Sequence, residues 1–153
     1  VEKDGMLCRC GRHGCLETRV ASHPIARHLR QVCSPETAPL LWAAVDGRPE
    51  KITVHNLAEL VSLDEPALWE ALDADIGLLA DVVGGMLTML TPDHLILYGA
   101  MFKLPHFREK FLAACKRYDP AYDEDYIRVS ELDEKLEYIG PLAVVTNELF
   151  YQG

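Results

Sequence analysis

The longest regular pattern of apolar residues lies in the middle of the chain. Apolar side chains recur there at steps of three and four residues, at Leu68, Leu72, Ile76, Leu79, Val83, Met86 and Leu90. This spacing places side chains on one face of an α-helix, because the helix repeats every 3.6 residues. The sequence therefore predicts one long helix with a single buried face.

Three glycines, Gly77, Gly84 and Gly85, interrupt this predicted helix. Each glycine costs about 1 kcal/mol relative to alanine in an exposed helix, so a reason for their presence is expected. We expect a neighbouring helix or strand to approach the backbone at these positions. A bound ligand or a partner subunit is the alternative reason.

Shorter helices are predicted before the long one. Ser22 is a good N-cap, and Pro24 falls in the first turn, where its missing N–H costs little. The helix that follows runs through Ile25 and Leu29. Further on, the pattern predicts a helical stretch ending before Asp46-Gly47, an extended segment over 51–54 and another helix over 56–63. The helical segment thus covers residues 22–90.

Beyond the long helix, strands and helices alternate. Residues 94–98 form an apolar run of strand length that ends at Gly99, and residues 104–118 show a second helical pattern. Residues 126–129 alternate as a strand does, and Gly140-Pro141 opens a final predicted helix. Strand, helix, strand and helix over 94–150 predict an α/β layer with parallel pairing. No linker rich in Gly, Ser or Pro divides the chain, which indicates one domain over residues 1–153.

Composition narrows the function classes. The chain has 153 residues and a formal net charge of −9, which argues against an intrinsic nucleic-acid surface, since such surfaces need clustered Lys and Arg. It has no apolar run long enough to span a bilayer and no secretory leader, so no membrane partner is expected. Five cysteines is an odd number, with three of them in one loop, which favours a reducing compartment over a disulfide framework, so we expect a cytoplasmic location.

The densest candidate chemistry is a cysteine loop at residues 8–17. Cys8, Cys10 and Cys15 lie within eight residues, with glycines that allow the backbone to curl. Zinc takes cysteine thiolates in tetrahedral sites, which four ligands normally close, so these three predict a structural zinc site. His13 is a local candidate for the fourth ligand. Ordinary reduced thiols or a Cys-x-Cys redox pair are the alternative interpretation, but neither accounts for the third cysteine and the glycines together.

The same residues resemble a family signature. Cys8, Cys10, Gly11, Gly14, Cys15 and Glu17 match all six fixed positions of the Cys-x-Cys-Gly-x-x-Gly-Cys-x-Glu motif of the ROK family. That family comprises bacterial sugar kinases and sugar-responsive transcriptional repressors. The resemblance implies the actin-like, ribonuclease-H-like ATPase fold, in which two α/β lobes close on a sugar and, in kinases, on ATP. It also implies a homodimer or tetramer.

Other family elements are absent from this chain. The family's fourth zinc ligand is a histidine upstream of the first cysteine, and residues 1–7 contain no histidine. The family's phosphate-binding Asp-x-Gly-x-Thr loop and its Asn-Asp catalytic pair also do not occur here. The resemblance therefore implies the C-terminal lobe of a ROK domain, which by itself should have no turnover.

Two residues are carried over from the family as ligand-binding candidates. The resemblance implies that Glu17 accepts hydrogen bonds from sugar hydroxyls. It also implies that Gly99, which stands where the family has a glycine cluster, contacts a nucleotide. Because Tyr98 and Ala100 carry side chains where the family has glycines, nucleotide contact is more crowded, and we expect a repressor more than a kinase.

Two functions are therefore open. The first is the sugar-sensing, oligomerising half of a transcriptional repressor, which would bind a sugar or sugar phosphate and meet DNA only through an upstream domain. The second is the C-terminal lobe of an ATP-dependent sugar kinase similar to glucokinase. The remaining ionisable residues have simpler interpretations: Arg9, Arg12 and Arg19 as a solvated face, and the scattered histidines as surface or helix-end residues. Cys33 and Cys115 are expected as core thiols.

Overall fold

The structure is a computed structural model that describes residues 1–132. Six α-helices and two strands follow one another within this range. The helices are α1 (Glu17–Val20), α2 (Ser22–Val32), α3 (Pro39–Ala44), α4 (Leu57–Val61), α5 (Pro66–Leu90) and α6 (Pro105–Cys115). The strands are β1 (Leu95–Leu97) and β2 (Ile127–Val129), and 3-10 turns occupy Pro49–Lys51 and Ala100–Lys103. The described part is thus mixed α/β and rich in helix, as predicted.

The long helix α5 is the centre of the packing. It contacts α1, α2 and α6, and it buries Leu68, Leu72 and Ile76 in the core. The expectation of one buried face along its whole length is wrong at the C-terminal end, where Met86 is 52% exposed and Leu90 is 67% exposed. A helix of 25 residues is about 37 Å long, whereas α2 and α6 have 11 residues each and span about 16 Å. These two helices are therefore too short to cover all of α5.

The interrupting glycines of α5 differ from one another. A Cβ added at Gly84 would lie 2.5 Å from Cδ2 of Tyr118, so a close approach requires glycine there, as expected. At Gly77 and Gly85 an added Cβ would meet no described atom within 4 Å. The expected close approach is thus confirmed at Gly84 and is not found at the other two within residues 1–132.

Two local predictions before α5 are corrected. Helix α2 begins at Ser22, but Ala21 stands at the N-cap in extended conformation and no side chain caps the helix. The expected extended segment over 51–54 is not a strand. Instead, Pro49 starts a 3-10 turn, and the Asn56 side chain accepts from the Thr53 N–H at 2.8 Å and donates to the Lys51 carbonyl at 3.1 Å. These bonds to a side chain replace the backbone pairing that a strand would need.

The two strands form a parallel pair, as the alternation of strand and helix predicted. Leu95 pairs with Ile127 and Leu97 with Val129. The intervening helix α6 packs on α5 and buries Phe107 and Phe111. The predicted final helix from Gly140 lies outside the described residues. Within them, no helix is both long enough and apolar enough to cross a membrane.

Candidate functional site

The cysteine loop is folded by its own backbone. Leu7 and His13 form an antiparallel bridge, and the Cys8 N–H donates to the Arg12 carbonyl at 2.7 Å. Gly11 has a φ of 82° and Gly14 a φ of 63°, a region that other residues resist. The two glycines therefore allow the loop to turn back on itself and bring its cysteines together.

The three cysteine sulfurs converge as the motif predicted. Those of Cys8, Cys10 and Cys15 all lie within 4.8 Å of one another, and the Cys10 and Cys15 sulfurs are 3.5 Å apart. Thiolates bound to one tetrahedral zinc at about 2.3 Å would lie roughly 3.8 Å from each other. The spacing therefore fits one zinc ion with small adjustments. Cys8 is buried and Cys10 is exposed, so the cluster opens toward the surface on one side.

The fourth ligand is not found among the described residues. His13 was the local candidate, but its Nδ1 lies 3.0 Å from the Gly5 carbonyl, and His13 is not in the group of converging ligands. Within residues 1–132 that group consists of the three cysteines alone. The loop thus offers three candidate ligands, and a tetrahedral zinc ion held by them would need one further donor.

Hydrogen bonds shift the pKa values of the Cys10 and Cys15 thiols in opposite directions. The pKa of Cys10 is lowered to about 6, first because the Arg12 backbone and side chain donate to its sulfur. The pKa of Cys15 is raised to about 11, first because of its hydrogen bond to Cys10. Cys10 is therefore a thiolate at neutral pH, and thiolates are the form that binds metals. The loop already holds one sulfur in the binding form.

Glu17 is held against the cysteine loop. Its Oε1 accepts from Nη2 of Arg9 at 2.8 Å, and its Oε2 accepts from the Cys8 thiol at 3.5 Å. The pKa of Glu17 is lowered, first by the hydrogen bond from Arg9 and next by that from Cys8. The carboxylate is consequently charged at neutral pH, and the loop that carries the sulfurs also orients it.

The helix that carries Glu17 is anchored to the core. Helix α1 has only four residues, too few to be stable alone. The Thr18 hydroxyl donates to the Cys15 carbonyl at 2.7 Å. Arg19 pairs with Asp75 of α5: its Nε donates to Oδ1 of Asp75 at 3.0 Å, and its Nη2 lies 2.8 Å from the same oxygen. Asp75 is 3% exposed and also lies 2.6 Å from His28 Nδ1. The expectation that Arg19 belongs to a solvated face is therefore wrong, because it pairs with a buried carboxylate.

A cavity of about 620 Å³ brings the two ligand-binding candidates together. Glu17 lines one part of it, and Gly99 lines another. We call it the Glu17–Gly99 cavity. Gly99 follows β1 and has a φ of 131°, a conformation that residues with a side chain rarely adopt. The geometry thus explains the glycine at this position and places it beside the same space as Glu17.

Sequence reasoning missed several residues of this region. Arg9, His23 and His55 also line the Glu17–Gly99 cavity. The two histidines were expected at the surface or at helix ends, and no motif connected either of them with Glu17. Their position in one cavity follows from the packing of α2 and of the turn before α4, which sequence spacing does not show.

Comparison with known proteins decides the family. The sequence model of the ROK family matches residues 1–147. The chain belongs to the ROK family. The match covers nearly the whole chain, so the resemblance of the cysteine loop extends beyond ten residues.

Two glucokinases are similar to this ROK chain. Glucokinase of Thermotoga maritima is 28% identical over 101 residues, which are 66% of this chain and 32% of that protein. The solved structure of a ROK family glucokinase from Streptomyces griseus, in complex with glucose and AMPPNP, is 19% identical with a TM-score of 0.67. That match covers 88% of this chain and 45% of the glucokinase chain. The chain spans less than half the length of either relative, and it shares the fold of that part of the ROK glucokinase.

Proposed function

We propose that this chain is the sugar-binding C-terminal lobe of an ATP-dependent ROK sugar kinase. The observation that carries the proposal is that Glu17 and Gly99 line one cavity although they lie far apart in the sequence. One is the candidate for sugar and the other the candidate for nucleotide. A cavity shared by both is what transfer of a phosphoryl group from ATP to a sugar requires, since the two substrates must meet.

The environment of Glu17 supports sugar binding. A charged carboxylate accepts several strong hydrogen bonds from vicinal hydroxyls, and the lowered pKa of Glu17 keeps it charged. Its side chain is 50% exposed, so a ligand can reach it. The anchoring of α1 through Arg19 and Asp75 fixes the backbone from which it extends. In this proposal, Glu17 orients the sugar by accepting from its hydroxyls.

Zinc has a structural role in the proposal. Cys8, Cys10 and Cys15 would hold the ion, which cross-links the loop that positions Glu17. A structural zinc fixes a short loop more firmly than hydrogen bonds alone, because its binding free energy adds to that of folding. In this proposal, the Glu17 carboxylate contacts the sugar, and the ion would stabilise the loop that holds Glu17 in place.

Gly99 supports a nucleotide site at the end of β1. Because glycine lacks a side chain, a phosphate can approach its backbone closely. The glycine is half-buried, and its backbone turns from the strand into the 3-10 turn Ala100–Lys103. In the proposal, the phosphates of ATP lie on this side of the cavity and the sugar lies on the Glu17 side.

The second candidate is the sugar-sensing half of a ROK transcriptional repressor. Tyr98 and Ala100 flank Gly99 with side chains, and both line the same cavity, which leaves less room for a nucleotide. Such a protein would bind a sugar or sugar phosphate without ATP. It would bind DNA only through a domain outside this chain.

Calorimetry of the zinc-loaded chain with glucose tests the sugar site. Glu17→Ala should weaken glucose binding roughly tenfold or more, because a hydrogen bond to a charged group contributes about 1.5–3 kcal/mol. Glu109→Ala is the matched control, since Glu109 is an exposed carboxylate on α6 away from the cavity. Equal glucose affinity in the Glu17→Ala variant and the parent would remove Glu17 from the site.

AMPPNP binding distinguishes the two candidates. A kinase lobe should bind AMPPNP, and Gly99→Val should abolish that binding because a φ of 131° does not suit a residue with a side chain. A repressor half should bind the sugar and give no heat with AMPPNP. Nucleotide binding that is unchanged in Gly99→Val would place the nucleotide elsewhere.

A further inference from the structure

Arg9 occupies a position that the family motif leaves free. The fixed positions of the motif build the sulfur cluster and supply Glu17, whereas position 9 lies between the first two cysteines without a prescribed residue. The Arg9 side chain lines the Glu17–Gly99 cavity and the neighbouring groove that contains Arg27 and Arg30. A residue that the motif does not prescribe, paired with the Glu17 carboxylate that is the candidate for binding sugar, is suited to determine which sugar binds.

The charge of this region is opposite to that of the whole protein. The chain has 24 acidic and 15 basic residues, yet Glu17 is the sole carboxylate among the described residues that line the cavity. Three arginines, Arg9, Arg27 and Arg30, line the cavity or the groove beside it, where Glu17 is again the sole carboxylate among the described residues, so positive charge exceeds negative there. A concave surface with a local excess of positive charge attracts anions.

The ion pair between Arg9 and Glu17 can exchange partners. The Arg9 side chain is 90% exposed and that of Glu17 is 50% exposed, and exposed ion pairs add little to stability. When Glu17 turns to the hydroxyls of a neutral sugar, Arg9 loses its partner. A sugar with an anionic group offers the Arg9 guanidinium a new partner. The planar guanidinium can donate two parallel hydrogen bonds to the oxygens of a carboxylate or a phosphate.

We propose that Arg9 is a specificity-determining residue that selects a sugar carrying an anionic group, a phosphate or a carboxylate. In this arrangement the sugar hydroxyls donate hydrogen bonds to the Glu17 carboxylate. The anionic group of the sugar binds the Arg9 guanidinium in place of Glu17. The inference rests on the proposed sugar site at Glu17 and adds the chemical class of the ligand.

The test is calorimetry of the zinc-loaded 153-residue chain with four probes: glucose, glucose 6-phosphate, glucuronate and inorganic phosphate. At least one anionic sugar should bind tenfold or more tightly than glucose, and that preference should fall as salt is raised. Arg9→Gln should remove the preference, and Arg9→Lys should keep part of it. Arg48→Gln is the matched control, because Arg48 is exposed, pairs with Asp46 and does not line the cavity.

The outcomes separate the two proposals. Glucose binding that equals anionic-sugar binding, with no change in Arg9→Gln, overturns the role of Arg9 and leaves the proposed sugar site intact. Inorganic phosphate that binds as tightly as glucose 6-phosphate shows a plain phosphate site and also overturns it. If none of the sugars binds, the proposed sugar site fails and the inference fails with it. Comparison of glucose 6-phosphate with glucuronate then identifies the anionic group.

Discussion

The contact between Gly84 and Tyr118 leads to a prediction about the stability of α5. In a Gly84→Ala variant the new Cβ would lie 2.5 Å from Cδ2 and 2.6 Å from Cγ of Tyr118. Because Cγ is the atom at which the ring is attached, turning the far end of the ring does not relieve the overlap. The whole side chain must move, and the hydrogen bond from its hydroxyl to Asp81 at 2.9 Å is lost.

The expected change in the free energy of unfolding is the sum of two effects. Alanine in place of glycine stabilises a helix by about 1 kcal/mol. Forcing extra volume into a filled space costs about 1–3 kcal/mol. Gly84→Ala should therefore lower the stability by about 1 kcal/mol. Gly77→Ala lies two turns earlier on the same helix face without a described atom within 4 Å, so it should raise the stability by up to about 1 kcal/mol.

Urea unfolding followed by circular dichroism measures both variants. The decisive comparison repeats Gly84→Ala in a Tyr118→Ala background, where the obstructing ring is gone. There the same substitution should stabilise the chain, so its effect changes sign. The reasoning is refuted if Gly84→Ala stabilises the parent as much as Gly77→Ala does, or if it still destabilises the chain without Tyr118.

Three further predictions concern the cysteine loop and assembly. Elemental analysis of reduced protein should find up to one zinc per chain, released by chelators more readily than from a site with four protein ligands; no metal would contradict the site. In metal-free protein at pH 7, iodoacetamide should label Cys10 before Cys15 and Cys115, because a pKa of about 6 leaves Cys10 deprotonated and pKa values of about 11 keep the other two protonated. Equal labelling of the three cysteines, measured by mass spectrometry, would disprove this order. Light scattering should show a homodimer, and Met89→Asp should disrupt it because Met89 is an apolar side chain that is 85% exposed on α5. A parent protein that is only a 17.1 kDa monomer at micromolar concentrations would exclude the homodimer.

Local sequence patterns predicted those parts of the fold in which the pattern depends on a single helix or strand. The steps of three and four residues from Leu68 onward are a property of one helix, and α5 is present over Pro66–Leu90. The alternation of strand and helix likewise predicted the parallel pairing of β1 with β2. The exposed end of α5 was not predictable in this way, because periodicity shows which face is apolar but not how far neighbouring helices extend along it.

The candidate site could be predicted only as far as the motif reaches. The convergence of Cys8, Cys10 and Cys15 follows from short spacing and glycines, and it is present. The pairing of Arg19 with Asp75 joins residues 56 positions apart, and no local pattern indicates it. For the same reason, the sequence did not show that His23 and His55 line the cavity beside Glu17. These positions depend on tertiary packing.

The attachment of α1 to Asp75 has a consequence for how the protein is made. A ribosome synthesises the cysteine loop before the carboxylate that anchors the following helix, since that carboxylate is added only at position 75. Until then, Arg19 and His28 have no partner on α5. The cysteine loop and α1 are thus held in place by a residue that is made much later. A nascent chain that stops before Asp75 carries the complete motif without its attachment to the core.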